Sequence, residues 1–171
     1  MGSKPDESRL QNENLKVHIA SRLDVDLFKD RLRKADLLEI DAGSCLTAEE
    51  ALLEGLELSQ PCYAAFWKDE PLCMFGVVPM NDPADPQQMG SVWLFGTDLI
   101  DTMDLGFLRA SRAWFDHLME RYGALGNAVD ARNIVHIKWL QWLGFELLSP
   151  TRMGPYNLPF IPFHRCNVVH V

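Results

Sequence analysis

The sequence lacks the cysteine patterns that mark metal-binding and disulfide-stabilised proteins. Its four cysteines, Cys45, Cys62, Cys73 and Cys166, are widely separated and form no C-x-x-C pair. Neither a zinc site nor a disulfide framework is therefore indicated, and we predict no bound metal. We interpret the four residues as reduced, mostly buried thiols in a cytosolic setting.

Long apolar runs are also absent. The amino-terminal stretch MGSKPDESRLQNENL is polar and has no apolar core of the kind that a signal peptide needs. No window approaches the ~20 apolar residues of a membrane-spanning helix. We predict a soluble, cytoplasmic protein without membrane insertion.

Positive charge is scarce. The chain has 16 Lys and Arg residues against 24 Asp and Glu residues, a formal net charge of -8, and no stripe rich in Lys and Arg. Nucleic-acid binding normally relies on many cationic contacts along the phosphate backbone. We therefore predict no nucleic-acid partner.

Hydrophobic residues, by contrast, are plentiful. A chain of 171 residues that is 47% hydrophobic can bury one substantial core but not two of comparable size. We predict a disordered or peripheral segment at 1–15 and a single domain at 16–171, because the first segment is polar and holds one large aliphatic residue before Leu15.

The apolar periodicity predicts four helices and seven strands. The helices are expected at 24–40, after a capping box formed by Thr47 and Glu50, at 105–122, and from Asn133 to Gly144. The strands are expected at 17–20, 62–68, 72–80, 91–97, 125–131, 145–149 and 160–169. A helix between two strands of one sheet requires a crossover, so we predict an α/β fold with a mixed sheet and helices on both faces.

The segment LGNAVDARNIVHIKWLQWLGF at 125–145 combines a strand, an Asn that can cap the next helix, and a Gly that can end it. The element order, with the spacing between Gly106, Asn133 and Gly144-Phe145, resembles the GCN5-related N-acetyltransferase superfamily. The resemblance implies a GNAT-like mixed β-sheet and acetyl-CoA-dependent transfer to a small-molecule or protein amine. It also implies a strand after 91–97 that splays away to admit the pantetheine arm.

The resemblance further implies a set of cofactor-binding residues. Backbone groups of Leu94 and Gly96 would pair with pantetheine, and the amides of Leu105, Gly106 and Phe107 would face the pyrophosphate, with Asn133 opening the helix beside the cleft. A candidate general base is Asp98, at the end of a strand, where the alternative is a turn-shaping role. A second is Glu39, which shares a helical face with Asp36 and could bind an amine or form a solvated acidic surface.

Three positions depart from the superfamily pattern. The pyrophosphate loop, Gln/Arg-x-x-Gly-x-Gly/Ala in the superfamily, holds Asp101 and Asp104 at two positions, and Leu140 occupies the usual place of an acid tyrosine. Asp104 could cap the helix with its own carboxylate, and both negative charges oppose a bound pyrophosphate. A leucine cannot donate a proton. His136 and His117 have no catalytic partner at a diagnostic spacing, so we interpret them as structural.

A narrower resemblance covers nearly the whole chain. The segments RKADLLEI, SVWLFGTD, FLRASRAW, NAVDARN and WLQWLGFE are similar to acetyltransferase-like proteins of tailed bacteriophages, including the T7-type internal virion or assembly protein family. This likeness implies a protein of the host cytoplasm that is associated with the virion and binds a phage or host protein. Two hypotheses stay open: an N-acetyltransferase, and a non-catalytic assembly or partner-binding protein on the same fold.

Overall fold

The computed structural model describes Leu10 and residues 13–167. Most of the predicted peripheral segment at 1–15 lies outside these residues. The described residues form eight strands, five α-helices and one 3₁₀ helix. In chain order they are β1 (Leu15–Ile19), α1 (Arg22–Phe28), α2 (Lys34–Ser44), α3 (Ala48–Leu58), β2 (Cys62–Trp67), β3 (Glu70–Pro79), β4 (Met89–Gly96), the 3₁₀ helix (Asp98–Thr102), α4 (Leu105–Arg121), β5 (Ala124–Asp130), α5 (Ile134–Trp142), β6 (Glu146–Leu147), β7 (Thr151–Met153) and β8 (Leu158–Cys166).

The strands form one mixed sheet in the order β1-β2-β3-β4-β5-β8-β6, with β7 pairing with β8 as well. Strands β4 and β5 are parallel because α4 carries the chain back across the sheet, whereas the other described pairs are antiparallel. The predicted α/β architecture with a mixed sheet is confirmed.

Hydrophobic cores cover both faces of the sheet. On one face α4 and α5 contribute Trp114, Leu118 and Trp139, while on the other α1 and α3 contribute Phe28 and Leu52. Successive strand residues point to opposite faces, which is why one short strand can supply both cores. The predicted placement of helices on both faces is therefore also confirmed.

Local capping signals determine where several helices begin and end. The Thr47 hydroxyl accepts a hydrogen bond from the Glu50 amide at 3.2 Å, and the Glu50 carboxylate accepts one from the Thr47 amide at 2.8 Å. This is the predicted capping box. At α5, Asn133 is the N-cap, and Gly144 follows the helix with a φ of 84°, a left-handed conformation that suits glycine.

The single helix predicted at 24–40 is wrong, since the structure has two helices there. Helix α1 ends at Phe28 and α2 begins at Lys34, and between them Leu32 forms an antiparallel bridge with Thr97. Arg33 is extended, with φ -66° and ψ 153°, and its amide donates to the Gly96 carbonyl at 2.9 Å. Pairing with the end of β4 thus interrupts a helical sequence pattern.

The carboxyl-terminal strands also differ from the prediction. The strand expected at 145–149 pairs only over Glu146–Leu147, and the sequence pattern gave no sign of β7. Strand β7 forms a hairpin with β8, and Gly154 in its turn packs against the Ala42 carbonyl at the end of α2. This hairpin therefore extends over the end of α2.

All four cysteines are free, with Cys62 and Cys73 buried and Cys45 and Cys166 exposed, so half of the thiols are buried rather than most. Burial raises the pKa of Cys62 to about 12 and raises that of Cys73 further, which makes both thiols unreactive near neutral pH. None of the described helices has the length and apolar character needed to cross a bilayer.

Candidate functional site: the cleft between strands β4 and β5

The two parallel strands at the centre of the sheet separate along their length. Strand β4 pairs with β5 only where Met89, Gly90 and Ser91 meet Ala124, Leu125 and Gly126. Beyond Ser91, β4 continues beside β3, while β5 continues beside β8. The sheet is therefore split, which is the arrangement that the resemblance implies.

A cavity of about 410 Å³ occupies this split and reaches both faces of the sheet. Its walls include Glu39 of α2 and Trp93 of β4, and, from the opposite face, Phe115 of α4 with His136 and Trp139 of α5. The volume falls within the range of small-molecule sites, roughly 300–1,000 Å³. The cleft is thus a candidate small-molecule site.

A buried arginine lies next to this cleft without lining it. The Arg33 guanidinium, 2% exposed, donates from Nε and Nη2 to the two oxygens of Asp36 at 2.9 Å each, and Asp36 is fully buried. Its Nη1 donates to Asp101 Oδ1 at 2.9 Å. Burial alone would lower the pKa of Arg33, but hydrogen bonds and charge from Asp36 and Asp101 raise it above its ordinary value. This cation is therefore fully paired.

Asn133 joins the arginine to the rest of the cleft. Its Oδ1 accepts from Arg33 Nη2 at 3.2 Å, and its Nδ2 donates to Glu39 Oε2 at 2.9 Å. The same Nδ2 lies 3.1 Å from Nδ1 of His136. The predicted helix-opening Asn is thus also the centre of a polar cluster that links α2 to α5.

This cluster occupies the edge of β4. The Gly96 amide donates to Asp36 Oδ2 at 2.8 Å, and the Gly96 carbonyl accepts from the Arg33 amide at 2.9 Å. Nearer the pairing point, the Val92 carbonyl accepts from Asn127 Nδ2 at 2.9 Å. Leu94 lies between them, so by the alternation of a strand its amide and carbonyl also face the split. The polar groups of Gly96 that were expected to meet pantetheine are bonded within the protein.

Polar groups between β4 and α4 are also hydrogen-bonded within the protein. The Asp104 carboxylate, at the N-cap of α4, accepts from the Phe107 amide at 3.1 Å. The capping role predicted for Asp104 is therefore observed. Asp101, in the 3₁₀ helix, is bound to Arg33. The Phe107 amide, which could have faced a phosphate, donates to Asp104, and the nearby Asp101 carboxylate is bound to Arg33.

Glu39 is the one acidic candidate that lines the cleft. It is half-buried, and its Oε2 accepts from Asn133 Nδ2 and, at 3.3 Å, from the Asp130 amide. Burial raises the pKa of Glu39 to about 7, against the opposing effect of the Asn133 hydrogen bond. The alternative prediction was that Glu39 and Asp36 form a solvated acidic surface. It does not hold for Asp36, which is fully buried.

The remaining candidates lie elsewhere. Asp98 is exposed at the start of the 3₁₀ helix and does not line the cavity. Leu105 and Gly106 are exposed in the first turn of α4, whereas Phe107 is buried in the core. Leu140, at the position of the superfamily tyrosine, packs on the same core and lines the cavity with an apolar side chain.

Sequence reasoning missed Arg33 and underrated His136. The residue Arg33 looked like one of several cations on the polar side of a long helix, and only the Asp at the third position after it hints at a local pair. His136 is buried, and burial lowers its pKa to about 4, so its ring is neutral at pH 7. Among the described residues, no group of His, Cys, Asp and Glu side chains could hold a metal ion.

No protein-family model matches the sequence, and no curated protein is detectably similar to it. Solved structures do match. A GNAT-family acetyltransferase from Streptococcus pneumoniae superposes with a TM-score of 0.61 at 14% identity, covering 89% of this chain and 98% of the other.

Two further matches are complexes with coenzyme A. The aminoglycoside acetyltransferase AAC(6')-Ib gives a TM-score of 0.63 at 14% identity, over 90% of this chain and 95% of the other. The ribosomal L7/L12 alpha-N-protein acetyltransferase RimL gives 0.63 at 11% identity, over 91% and 95%. Together with the mixed sheet and its split, these likenesses establish that the chain has the fold of the GCN5-related N-acetyltransferases.

Proposed function

We propose that this chain is an acetyltransferase-like protein that uses the GNAT fold without its chemistry, as a module that binds another protein. The observation that carries the proposal is the hydrogen bonding of Gly96. Its amide donates to the Asp36 carboxylate, and its carbonyl accepts from the Arg33 amide. Fold alone does not specify activity, so the residues of the site decide. A pantetheine arm would have to displace the buried Asp36 carboxylate and the backbone amide of Arg33 to reach these groups.

The start of α4 supports the same proposal. A helix N-terminus attracts phosphate through its free amides and its dipole. Here the Asp104 carboxylate already accepts from the Phe107 amide, and Asp101 carries a second negative charge nearby. Acetyl-CoA is the cofactor that the resemblance implies, and these residues do not fit it.

Exposed apolar side chains on α4 and α5 favour a protein partner. Helix α5 exposes Ile134, Val135 and Trp142, and the Trp142 indole donates to the Leu108 carbonyl of α4 at 3.4 Å. Leu105, one turn earlier on α4, is also exposed. Interfaces are enriched in such aromatic and apolar residues. The phage resemblance makes a virion or host protein the expected partner, in the host cytoplasm or in the particle.

The first test is thermal denaturation with millimolar acetyl-CoA or coenzyme A. A ligand present at a hundred times its dissociation constant stabilises a protein by about 2.7 kcal/mol. We expect no shift in melting temperature. A clear shift with either compound would contradict the proposal.

The second test is co-purification with virion proteins from infected cells, comparing the wild-type protein with Trp142→Ser. The matched control is Leu38→Ser, because Leu38 is as exposed as Trp142 but lies on α2 and does not line the cleft. We expect loss of the partner with Trp142→Ser alone. Absence of the wild-type protein from particles and from every complex would contradict the partner-binding role.

One observation favours acetyl transfer as a second candidate. The pKa of Glu39 is about 7, which suits a general base that accepts a proton from an amine, and Glu39 lines the cleft. If this candidate is correct, acetyl-CoA is consumed in the presence of a small-molecule or protein amine, and Glu39→Gln lowers the rate by about 10²-fold or more.

A further inference from the structure

One buried nitrogen in the cleft has no hydrogen-bond partner among the described residues. This atom is Nε2 of His136, whose side chain is 9% exposed. Buried polar atoms are almost always paired in native proteins, so an unpaired one needs an explanation. His136 also lines the cavity, where a bound molecule could supply the missing partner.

The hydrogen bonds around Asn133 determine which ring nitrogen carries the hydrogen. Arg33 has only donors, so the Asn133 atom 3.2 Å from Nη2 must be the amide oxygen. The other end of the amide is then the NH₂ group, which donates to His136 Nδ1 at 3.1 Å. Nδ1 is therefore an acceptor, and the neutral ring carries its hydrogen on Nε2. The unpaired group is a donor.

An acidic side chain shares a hydrogen-bond partner with this ring. Glu39 Oε2 and His136 Nδ1 contact the same Asn133 nitrogen, at 2.9 and 3.1 Å, so the carboxyl group and the imidazole are neighbours. Both residues line the cavity. The other walls nearby are apolar, including Phe115, Trp139 and Leu140.

We propose that the cleft binds an uncharged carboxamide carried on an apolar body, with the carbonyl oxygen accepting from His136 Nε2 and the amide nitrogen donating to Glu39. A carboxylate would be repelled by Glu39, which is partly ionised at pH 7. An ammonium group would leave the His136 donor unpaired. A carboxamide satisfies both side chains, and the apolar walls contact its body.

This inference goes beyond the proposed function, because the amide site depends on neither coenzyme A nor a protein partner. It makes His136 a binding residue that selects a ligand with an uncharged hydrogen-bond acceptor. The readouts of its test are also separate from those of the coenzyme A test, so failure of one leaves the other standing.

The experiment compares three probes with the same ring: benzamide, benzoate and benzylammonium. Binding is followed at pH 7 by nitrogen-15 NMR of the histidine rings, with each probe raised to about 10 mM, a range that suits weak fragments. We expect benzamide to bind best and to shift the Nε2 resonance of His136. The free protein should show the Nε2-protonated tautomer.

Two variants test the assignment. His136→Phe should weaken benzamide binding about tenfold or more, because the amide carbonyl loses its donor. The matched control is His164→Phe, since His164 is a more exposed histidine on β8 that does not line the cavity, and it should leave binding unchanged. His136→Gln, which keeps an N–H donor, should retain part of the affinity even if the Phe variant does not fold.

Three results would overturn the proposal. They are no benzamide binding at the highest concentration, tighter binding of benzoate or benzylammonium, and benzamide binding that His136→Gln and His136→Phe leave unaltered.

Discussion

The polar cluster beside the cleft contains Arg33, a cation with almost no contact with solvent. A buried ion pair adds little net stability when it is intact, since removing both ions from water costs about as much as their attraction returns. Removing one partner is different because it leaves an unpaired charge in the interior. The Arg33–Asp36 pair should therefore be far more sensitive to substitution than the exposed ion pairs of this protein.

We predict that Asp36→Asn lowers the free energy of unfolding by about 3–5 kcal/mol, because Arg33 then remains buried without its bidentate partner. The matched control is Asp101→Asn, which removes the other carboxylate bound to Arg33. Asp101 is 46% exposed, so its loss should cost about 1 kcal/mol or less. Urea denaturation of both variants measures the difference, and equal losses would contradict this account.

Two neighbouring groups give stability opposite dependences on pH. The pKa of Glu39 rises from 4.5 to about 7 on folding, so stability falls as pH increases between these values. The pKa of His136 falls from 6.5 to about 4, so stability rises as pH increases from 4 to 6.5. The two slopes oppose each other over the range that they share.

We therefore predict that replacing one of these two groups reveals how the other makes the free energy of unfolding depend on pH. Glu39→Gln should leave stability rising between pH 4.5 and 6.5, and His136→Phe should leave it falling across the same range. Chemical denaturation at four or five pH values measures both slopes. Slopes of the same sign in the two variants would show that the groups do not act in this way.

The sequence allowed part of this site to be predicted. The N-cap position of Asn133 and the helical face of Glu39 were predicted, because capping and helical spacing are local properties that the sequence displays directly. Their cofactor-binding and catalytic roles stay predictions. Arg33 and His136 were not identified, because their roles depend on contacts with residues far along the chain. Burial of a charged side chain cannot be recognised from neighbours in sequence when its partners come from three different elements.

At the scale of elements, α4 depends on its cap. We predict that Asp104→Ala destabilises the protein by about 1 kcal/mol, because the Phe107 amide loses its acceptor. Asp98→Ala, an exposed acidic position just upstream, is the control and should change stability by less than about 0.5 kcal/mol. Thermal melting distinguishes the two, and an unaffected Asp104→Ala would show that the observed cap contributes nothing.

The β7–β8 hairpin depends on Gly154. This residue has a φ of 73°, and a Cβ atom placed on it would clash with the Ala42 carbonyl oxygen of α2. We predict that Gly154→Ala costs about 2 kcal/mol or more, from backbone strain and overpacking together.

Gly144→Ala separates these two causes. Gly144 has a φ of 84°, but an added Cβ would meet only Arg165 Nε at an ordinary 3.8 Å. This control should cost about 1 kcal/mol, from strain alone. If urea denaturation gives equal losses for the two variants, the contact with α2 is unimportant.

Prediction of the elements succeeded where a local signal existed. The capping box of α3 and the Asn and Gly at the ends of α5 correctly located three helix boundaries. The break between α1 and α2 has no glycine or proline, and apolar residues continue across it at helical spacing, so only the pairing of Leu32 with Thr97 explains it. Strand β7 has three exposed residues and no alternation that a pattern could reveal.

At the scale of the whole molecule, the split in the sheet lets one cavity touch both cores. Residues of α2 and α3 line it from one face, and residues of α4 and α5 from the other. A substitution in the cleft therefore alters packing on both faces of the sheet. The polar cluster at Arg33 joins these sides, because it binds α2, β4, the 3₁₀ helix and the start of α5.

The span of that cluster also has a consequence for how the chain folds. The hydrogen bond from Arg33 to Asn133 joins residues 100 positions apart. Contacts of such long range are slow to form because a large loop must close first. We expect the cluster to form after the folding transition state, so that Asp36→Asn accelerates unfolding and leaves the refolding rate nearly unchanged. Stopped-flow measurements over a range of urea concentrations test this, and the cluster around Arg33 would then persist because unfolding is slow.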